Sequence, residues 1–176
     1  MWVLELIDIE AVSSLAHRAG AKVIVDNVFA TPILQKPIKF GADIVVYSAT
    51  KHIDGQGRTL GGAILTNDIE FADGDLMQFL RHTGPSLSPF NAWVLLKGIE
   101  TLEIRMAQHC ANAKSIAEFL VKQKGLSKVI FQKSFPCFFY LAFNFFPLTI
   151  NHKDLKNIFY HLLGALEYLL FFLFYL

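Results

Sequence analysis

Ile9, Val12, Leu15, Ala16 and Ala19 recur at helical spacing, with Asp8 placed to cap the start of a helix and Gly20 to end it. Lys22-Val23-Ile24-Val25-Asp26 follows, a β-branched run suited to a buried parallel strand. Pro32 and Pro37 punctuate the next connection, and Gly41-Ala42-Asp43 turns the chain into a second strand, Ile44-Val45-Val46-Tyr47. A third strand, Gly62-Ala63-Ile64-Leu65-Thr66, comes after a glycine-rich loop. Helix, strand, connection and strand are the grammar of an open α/β sheet. From Ser88 the pattern turns helical. Ala92, Leu95, Leu96, Ile99 and Leu102 form one stripe, and Ile116, Ala117, Leu120 and Val121 belong to a later helix ended by Gly125. The low turn content between Pro89 and Lys124 predicts long helices joining two domains.

This order breaks down near Lys133. Positions 134–176 hold ten of the 17 Phe and four of the 5 Tyr but only four charged residues. The stretches from Phe135 to Leu141 and from Leu169 to Leu176 follow no helical or strand period. The last apolar run starts at Leu162, contains Glu167, and is shorter than the ~20 residues that span a bilayer. A membrane segment is therefore not expected. The tail reads instead as foreign to the domain, as when a reading frame slips into A/T-rich sequence. The organisation predicted is a partial α/β domain over 1–86, connecting helices over 87–133, and an atypical Phe-rich tail over 134–176.

Composition narrows the function classes. A chain of 176 residues can bury a sizeable core. Sixteen basic against 15 acidic residues leave a net charge of +1, which argues for no nucleic-acid partner. Cys110 and Cys137 make neither a disulfide framework nor a metal-ligand spacing, so a reducing cytoplasm is the expected compartment. Glu5, Asp8 and Glu10 interrupt any secretion signal. His17, His52, His82, His109, His152 and His161 include no pair three to five apart, and no metal is expected.

The chemistry gathers where two strands end. Ligands of open α/β sheets bind outside the carboxyl ends of the strands. Asp26 falls there on the first strand, and the run Tyr47-Ser48-Ala49-Thr50-Lys51 falls there on the second. A lysine beside a hydroxyl pair, with a carboxylate one strand away, is what pyridoxal 5'-phosphate requires. The lysine carries the aldehyde as a Schiff base, the hydroxyls hold the phosphate, and the carboxylate keeps the ring nitrogen protonated. An attacking amine must be partly neutral, which burial beside a cationic ring favours, so a sheltered Lys51 is expected. Each residue also has a plainer reading. Lys51 would be a solvated surface lysine, Asp26 a turn cap, and Ser48 and Thr50 a hydroxyl-bonded turn. Asn27 reads as a loop hydrogen-bonder, and His52 takes no assigned role. The loop Asp54-Gly55-Gln56-Gly57-Arg58-Thr59-Leu60-Gly61-Gly62 lacks the Gly-Lys-Ser/Thr ending of a phosphate loop and the spacing of a dinucleotide fingerprint.

Three segments together carry a resemblance. They are Val25-Asp26-Asn27-Val28-Phe29-Ala30-Thr31-Pro32, Gly41-Ala42-Asp43 and Tyr47-Ser48-Ala49-Thr50-Lys51. They strongly resemble the PLP-dependent Cys/Met-metabolism family of trans-sulfuration enzymes. The segments from His52 to Gly62 and from Thr83 to Trp93 are similar to its O-succinylhomoserine sulfhydrylase branch. The resemblance runs from about Leu4 to about Lys133. It implies an aspartate-aminotransferase-like fold with Lys51 as the Schiff-base lysine, Asp26 at the ring nitrogen, and Ser48 and Thr50 at the phosphate. It further implies a homotetramer and a γ-replacement on an O-acyl homoserine. Lys51 would move protons from Cα and Cβ, succinate would leave from Cγ, and sulfide would add to give homocysteine. Cystathionine γ-synthase or γ-lyase activity, with cysteine among the substrates, is the neighbouring reading. A non-catalytic cofactor-binding remnant is the third, because family members are about twice as long. Their preceding stretch supplies a ring-stacking tyrosine and a phosphate loop, and their carboxyl-terminal domain supplies the carboxylate-gripping arginine. The chain is therefore expected to be a central fragment, truncated at both ends.

Overall fold

The computed structural model describes residues 7–123 and the strands Leu126–Phe131 and Phe139–Phe143. Helix α1 spans Ile9–Arg18, and Asp8 caps it as expected, its carboxylate accepting the Ala11 N–H at 3.0 Å. Gly20 leaves the helix at φ +75°, a left-handed conformation that glycine adopts at little cost. The anticipated apolar stripe is only partly used. Ser13 is buried, while Val12 and Leu15 are 44% and 62% exposed. The helix presses Ser13 against Gly41, where a side chain would meet Ser13 Cβ at 2.9 Å, and this turns Val12 and Leu15 outward.

Three strands form one sheet in the order β1-β2-β3, with β1 at Ile24–Asp26, β2 at Ile44–Ser48 and β3 at Gly62–Thr66. β1 runs parallel to β2, and β3 runs antiparallel to it. The central strand is the most buried, as its unbroken apolar run requires. Ala42, Val45 and Tyr47 form the core with Ile9, Val23, Val25, Ile38, Ile53 and Ala63 packed around them. The expectation of a buried first strand needs correction. β1 is parallel but has one described neighbour, so Ile24 is 62% exposed and Asp26 is exposed as well. Between β1 and β2 the chain makes the short helix α2, Thr31–Leu34, and a 3-10 turn, Pro37–Phe40, each opened by a proline near its start.

After β3 a helical stretch appears that the sequence reading did not anticipate. It comprises α3 at Ile69–Phe71, a π-helical turn at Ala72–Leu76 and α4 at Met77–Thr83. None of the three buries a residue. Asp68 caps the stretch by accepting the Phe71 N–H at 2.9 Å. Helix α5, Pro89–Ile99, starts at Ser88, whose hydroxyl accepts the Asn91 N–H, and α6 spans Leu102–Val121. Val94, Leu95, Gly98 and Leu102 are buried, whereas the expected stripe members Leu96 and Ile99 are exposed.

The chain divides into two units within α6, the first ending at Arg105 and the second beginning at Met106. In the second, Ala113, Ala117 and Leu120 are buried on α6. Its strands β4, Leu126–Phe131, and β5, Phe139–Phe143, pair antiparallel with an irregularity between Leu126 and Lys128. The stretch from Phe139 was read as having no strand period, yet it pairs, because aromatic and branched residues favour extended pairing without strict alternation. The remainder of the Phe-rich tail and Gly125 lie outside the described residues. Among the described residues no helix is long and apolar enough to cross a membrane.

Candidate functional site

Because β1 and β2 are parallel, their carboxyl ends open on one edge of the sheet. Asp26 pairs in register with Val46, and Ser48 pairs with Gly62 at the start of the antiparallel β3. The sheet thus brings Asp26, Ser48, the turn that begins at Ala49 and the Gly61–Gly62 corner to the same edge. Asp26 and Ser48 end their strands there, and Thr50 and Lys51 lie in the turn that follows. Asp26 is exposed, and its Oδ1 accepts the Val28 N–H at 3.0 Å, so one oxygen performs the plain turn-capping role.

Asn27, next in sequence, is 2% exposed and holds the connection in place. Its Nδ2 donates to the Thr31 carbonyl at 3.2 Å, the Gln35 carbonyl at 3.0 Å and the Tyr47 hydroxyl at 2.9 Å. Its Oδ1 accepts from Gln35 Nε2 at 3.0 Å. The loop-bonder reading was right in kind, but the residue joins β1, α2 and β2. Thr31, buried within this network, sits at φ +58°. A β-branched residue there is strained, and it persists only where its surroundings enforce it.

Backbone hydrogen bonds pin the turn after β2. Lys51 N–H donates to the Ser48 carbonyl at 3.2 Å, Asp54 N–H to Ala49 at 2.9 Å, and Gly55 N–H to the Lys51 carbonyl at 2.7 Å. The Thr50 hydroxyl donates to the Gly61 carbonyl at 3.2 Å and accepts the Gly61 N–H at 3.0 Å, closing the glycine-rich loop at its neck. Ser48 is half-buried at the strand end. Lys51 itself is exposed, which corrects the expected shelter.

Asp54 is the anchor that sequence reading passed over. It is 1% exposed. It accepts the Arg58 N–H at 2.7 Å and Arg58 Nε at 2.9 Å, while Arg58 Nη2 donates to its carbonyl at 3.1 Å. Burial pushes its carboxyl up, but the Arg58 N–H and guanidinium, with the Gln56 N–H, outweigh that and hold it below the usual carboxylate range. The run Asp54-Gly55-Gln56-Gly57 carried a signal for such an aspartate-centred turn. Arg105 was also missed, and no local pattern could have found it. It donates to the His52 carbonyl 53 positions earlier. At the opposite end of the sheet Asp43 accepts the Val23 N–H at 2.7 Å and bonds His17 at 2.9 Å, and these two contacts, in that order, hold its carboxyl low.

The arrangement sets a primary amine, a carboxylate and a hydroxyl at one open sheet edge, on a turn whose backbone is pinned. Among the described residues no cluster of His, Cys, Asp and Glu could hold a metal ion. The donor set suits an organic carbonyl cofactor: a nucleophile for an aldehyde, an acid for a basic ring nitrogen, and a hydroxyl for an anionic tail. Comparison with known proteins gives this class a family. Residues 2–137 match the family described as Cys/Met metabolism PLP-dependent enzyme, and the chain belongs to it. Its enzymes depend on pyridoxal 5'-phosphate, and the fold is of the aspartate-aminotransferase-like kind. The chain is 64% identical over 115 residues to the O-succinylhomoserine sulfhydrylase of Mycobacterium tuberculosis, covering 65% of this chain and 28% of that protein. It is 51% identical over 127 residues to the O-succinylhomoserine sulfhydrylase of Pseudomonas aeruginosa, covering 72% and 31%. The crystal structure of cystathionine gamma synthase from Xanthomonas oryzae pv. oryzae superposes with a TM-score of 0.70 at 39% identity, over 73% of this chain and 33% of that one. The chain spans about a third of the length of the curated relatives it matches.

Proposed function

We propose that this chain carries the cofactor-binding centre of a trans-sulfuration enzyme that performs γ-replacement on O-succinylhomoserine, with sulfide as the incoming nucleophile and homocysteine as product. Lys51 is the cofactor lysine, Asp26 faces the ring nitrogen, and Ser48 and Thr50 serve the phosphate. The observation that supports this most is the convergence of Asp26 and the Lys51 turn on one edge of a parallel strand pair, from segments 25 positions apart. The two O-succinylhomoserine sulfhydrylases among its relatives favour the substrate. Bound pyridoxal phosphate supplies an electron sink for negative charge at the substrate's carbon atoms.

The residues divide the remaining work. Lys51 Nζ holds the aldehyde carbon and afterwards moves protons at Cα and Cβ of the amino acid. Asp26 sets a carboxylate at the strand end, where it would pair with the ring nitrogen. The Ser48 hydroxyl donates to an anion at the mouth of the edge. Thr50 differs: its proton is committed to the Gly61 carbonyl, so it serves an anion only by rotating that proton away or by fixing the backbone beneath it. In the cell the proposed assembly is a cytoplasmic homotetramer.

A second reading is a cofactor-binding unit without turnover of its own. Turnover decides between the two. The chain is supplied with pyridoxal phosphate, O-succinylhomoserine and sulfide, and homocysteine is measured, with cysteine replacing sulfide in a parallel reaction. Homocysteine formation supports the sulfhydrylase, and cystathionine formation alone redirects the assignment to a cystathionine γ-synthase. Cofactor capture without either product sustains the remnant and removes the enzyme.

A further inference from the structure

Arg105 spends its charge on backbone carbonyls beside the lysine. Its Nε donates to Thr101 Oγ1 at 3.1 Å, Nη1 to the His52 carbonyl at 2.7 Å, and Nη2 to the carbonyls of Gly98 at 2.8 Å and Ile53 at 3.3 Å. All four acceptors are neutral oxygens. A rigid guanidinium fork is suited to joining several fixed acceptors at once, which a single ammonium is not. Two of the carbonyls belong to the residues immediately after Lys51, and the third lies in the last turn of α5, where unsatisfied carbonyls attract a cation.

Two glycines make room for this clamp. A Cβ on Gly55 would overlap Arg105 Nη1 and Cζ, and Gly55 sits at φ +73°. A Cβ on Gly98 would overlap the Ile53 carbonyl oxygen. The Gly55 N–H in turn bonds the Lys51 carbonyl, so Arg105, Gly55 and Lys51 form one mechanical chain. Lys51 is exposed, and the peptide units around it are held by these bonds. What fixes the direction in which the side chain leaves is the backbone on either side.

We infer that Arg105 is a positioning residue for the Lys51 amine, holding the peptide units after it so that Nζ projects over the sheet edge toward the aldehyde. The inference rests on Lys51 being the cofactor lysine. Reaction of the two partners is a simple exchange: the amine adds to the aldehyde carbonyl, water leaves, and a carbon–nitrogen double bond forms. Borohydride then adds hydride to carbon, and a proton from water completes a stable secondary amine.

The test uses the full chain with Arg105→Lys, Arg105→Gln and, as a control weakened elsewhere, the core variant Val45→Ala. Pyridoxal 5'-phosphate is added across a pH series, borohydride stops the reaction at timed points, and label on Lys51 is quantified. Exchange of the Gly55 amide is followed in the cofactor-free chain. Both Arg105 variants are expected to slow capture at Lys51 on the order of tenfold to a hundredfold, the scale of a misplacement near 1 Å. They should also change its pH profile and speed Gly55 exchange, while Val45→Ala captures at the parent rate. Thr101→Val removes one acceptor at an exposed position and serves where the Arg105 variants do not fold; a smaller slowing in the same direction is expected. Parent-like rates and pH profiles in the Arg105 and Thr101 variants, or equal slowing by Val45→Ala, overturn the positioning role. Absence of Lys51 label in the parent chain is a different result, and overturns the cofactor reading itself.

Discussion

A methyl group at Gly98 is a sharp probe of how the lysine turn is held. Gly98 is buried in α5, and a Cβ there would lie 3.0 Å from both Asp54 Cα and the Asp54 carbonyl oxygen, and closer still to the Ile53 carbonyl. All three are backbone atoms of a turn already pinned by its own hydrogen bonds, so no side chain can swing aside. Overpacking of this kind costs about 1–3 kcal/mol. Separating α5 from the turn also stretches the Arg105 bond to the Gly98 carbonyl, a further loss of about 1 kcal/mol. Alanine returns about 1 kcal/mol of helix propensity. The net loss expected for Gly98→Ala is about 2 kcal/mol, roughly a thirtyfold change in the folded-to-unfolded ratio. Gly74 supplies the matched control, since a Cβ there meets nothing within 4 Å and its φ is not left-handed. Gly74→Ala is expected to be neutral or to stabilise by up to about 1 kcal/mol. Urea unfolding followed by circular dichroism compares the two. Equal stability of the two variants, or a Gly98→Ala chain as stable as the parent, would refute the close approach of α5 to the turn.

Acid should weaken the fold through Asp43 and Asp54. Both have folded-state pKa values below the ordinary one, so their stabilisation is present above the unfolded value near 3.9 and is lost as pH falls through the folded values. Urea midpoints are expected to drop below about pH 4, and less steeply in Asp54→Asn; a flat profile from pH 6 to 3 contradicts both assignments. Thr50→Val keeps the shape of the side chain but removes the bridge to Gly61, and is expected to cost about 1 kcal/mol that Thr50→Ser retains. Equal unfolding midpoints for the two substitutions would dismiss the bridge.

Strand positions were legible from short apolar runs bounded by turn residues: Gly62–Thr66 has the bounds its sequence suggested, and Ile44 begins β2 as expected. Asp8 announced its helix by cap chemistry. The helices over Ile69–Thr83 were missed although Ile69, Ala72, Leu76 and Leu80 recur at helical spacing. The four candidate residues were proposed from their types and their place after strands. The groups that hold them were harder to see. Asp54 was hidden in a loop tested only for phosphate motifs, and Arg105 acts across more than 50 positions, a separation that local patterns do not encode. Exposure was misjudged for Lys51, Asp26 and Leu15 because periodicity records which side of an element is apolar, not whether a neighbour covers it.

The most direct measurement is borohydride fixation of pyridoxal 5'-phosphate to the folded chain, with the modified position read by peptide mass spectrometry and Lys51→Met run alongside. Label confined to Lys51, and abolished in the methionine variant, is the expected result. Label distributed over other lysines, or unchanged when Lys51 is replaced, would contradict the assignment of this sheet edge as a cofactor site.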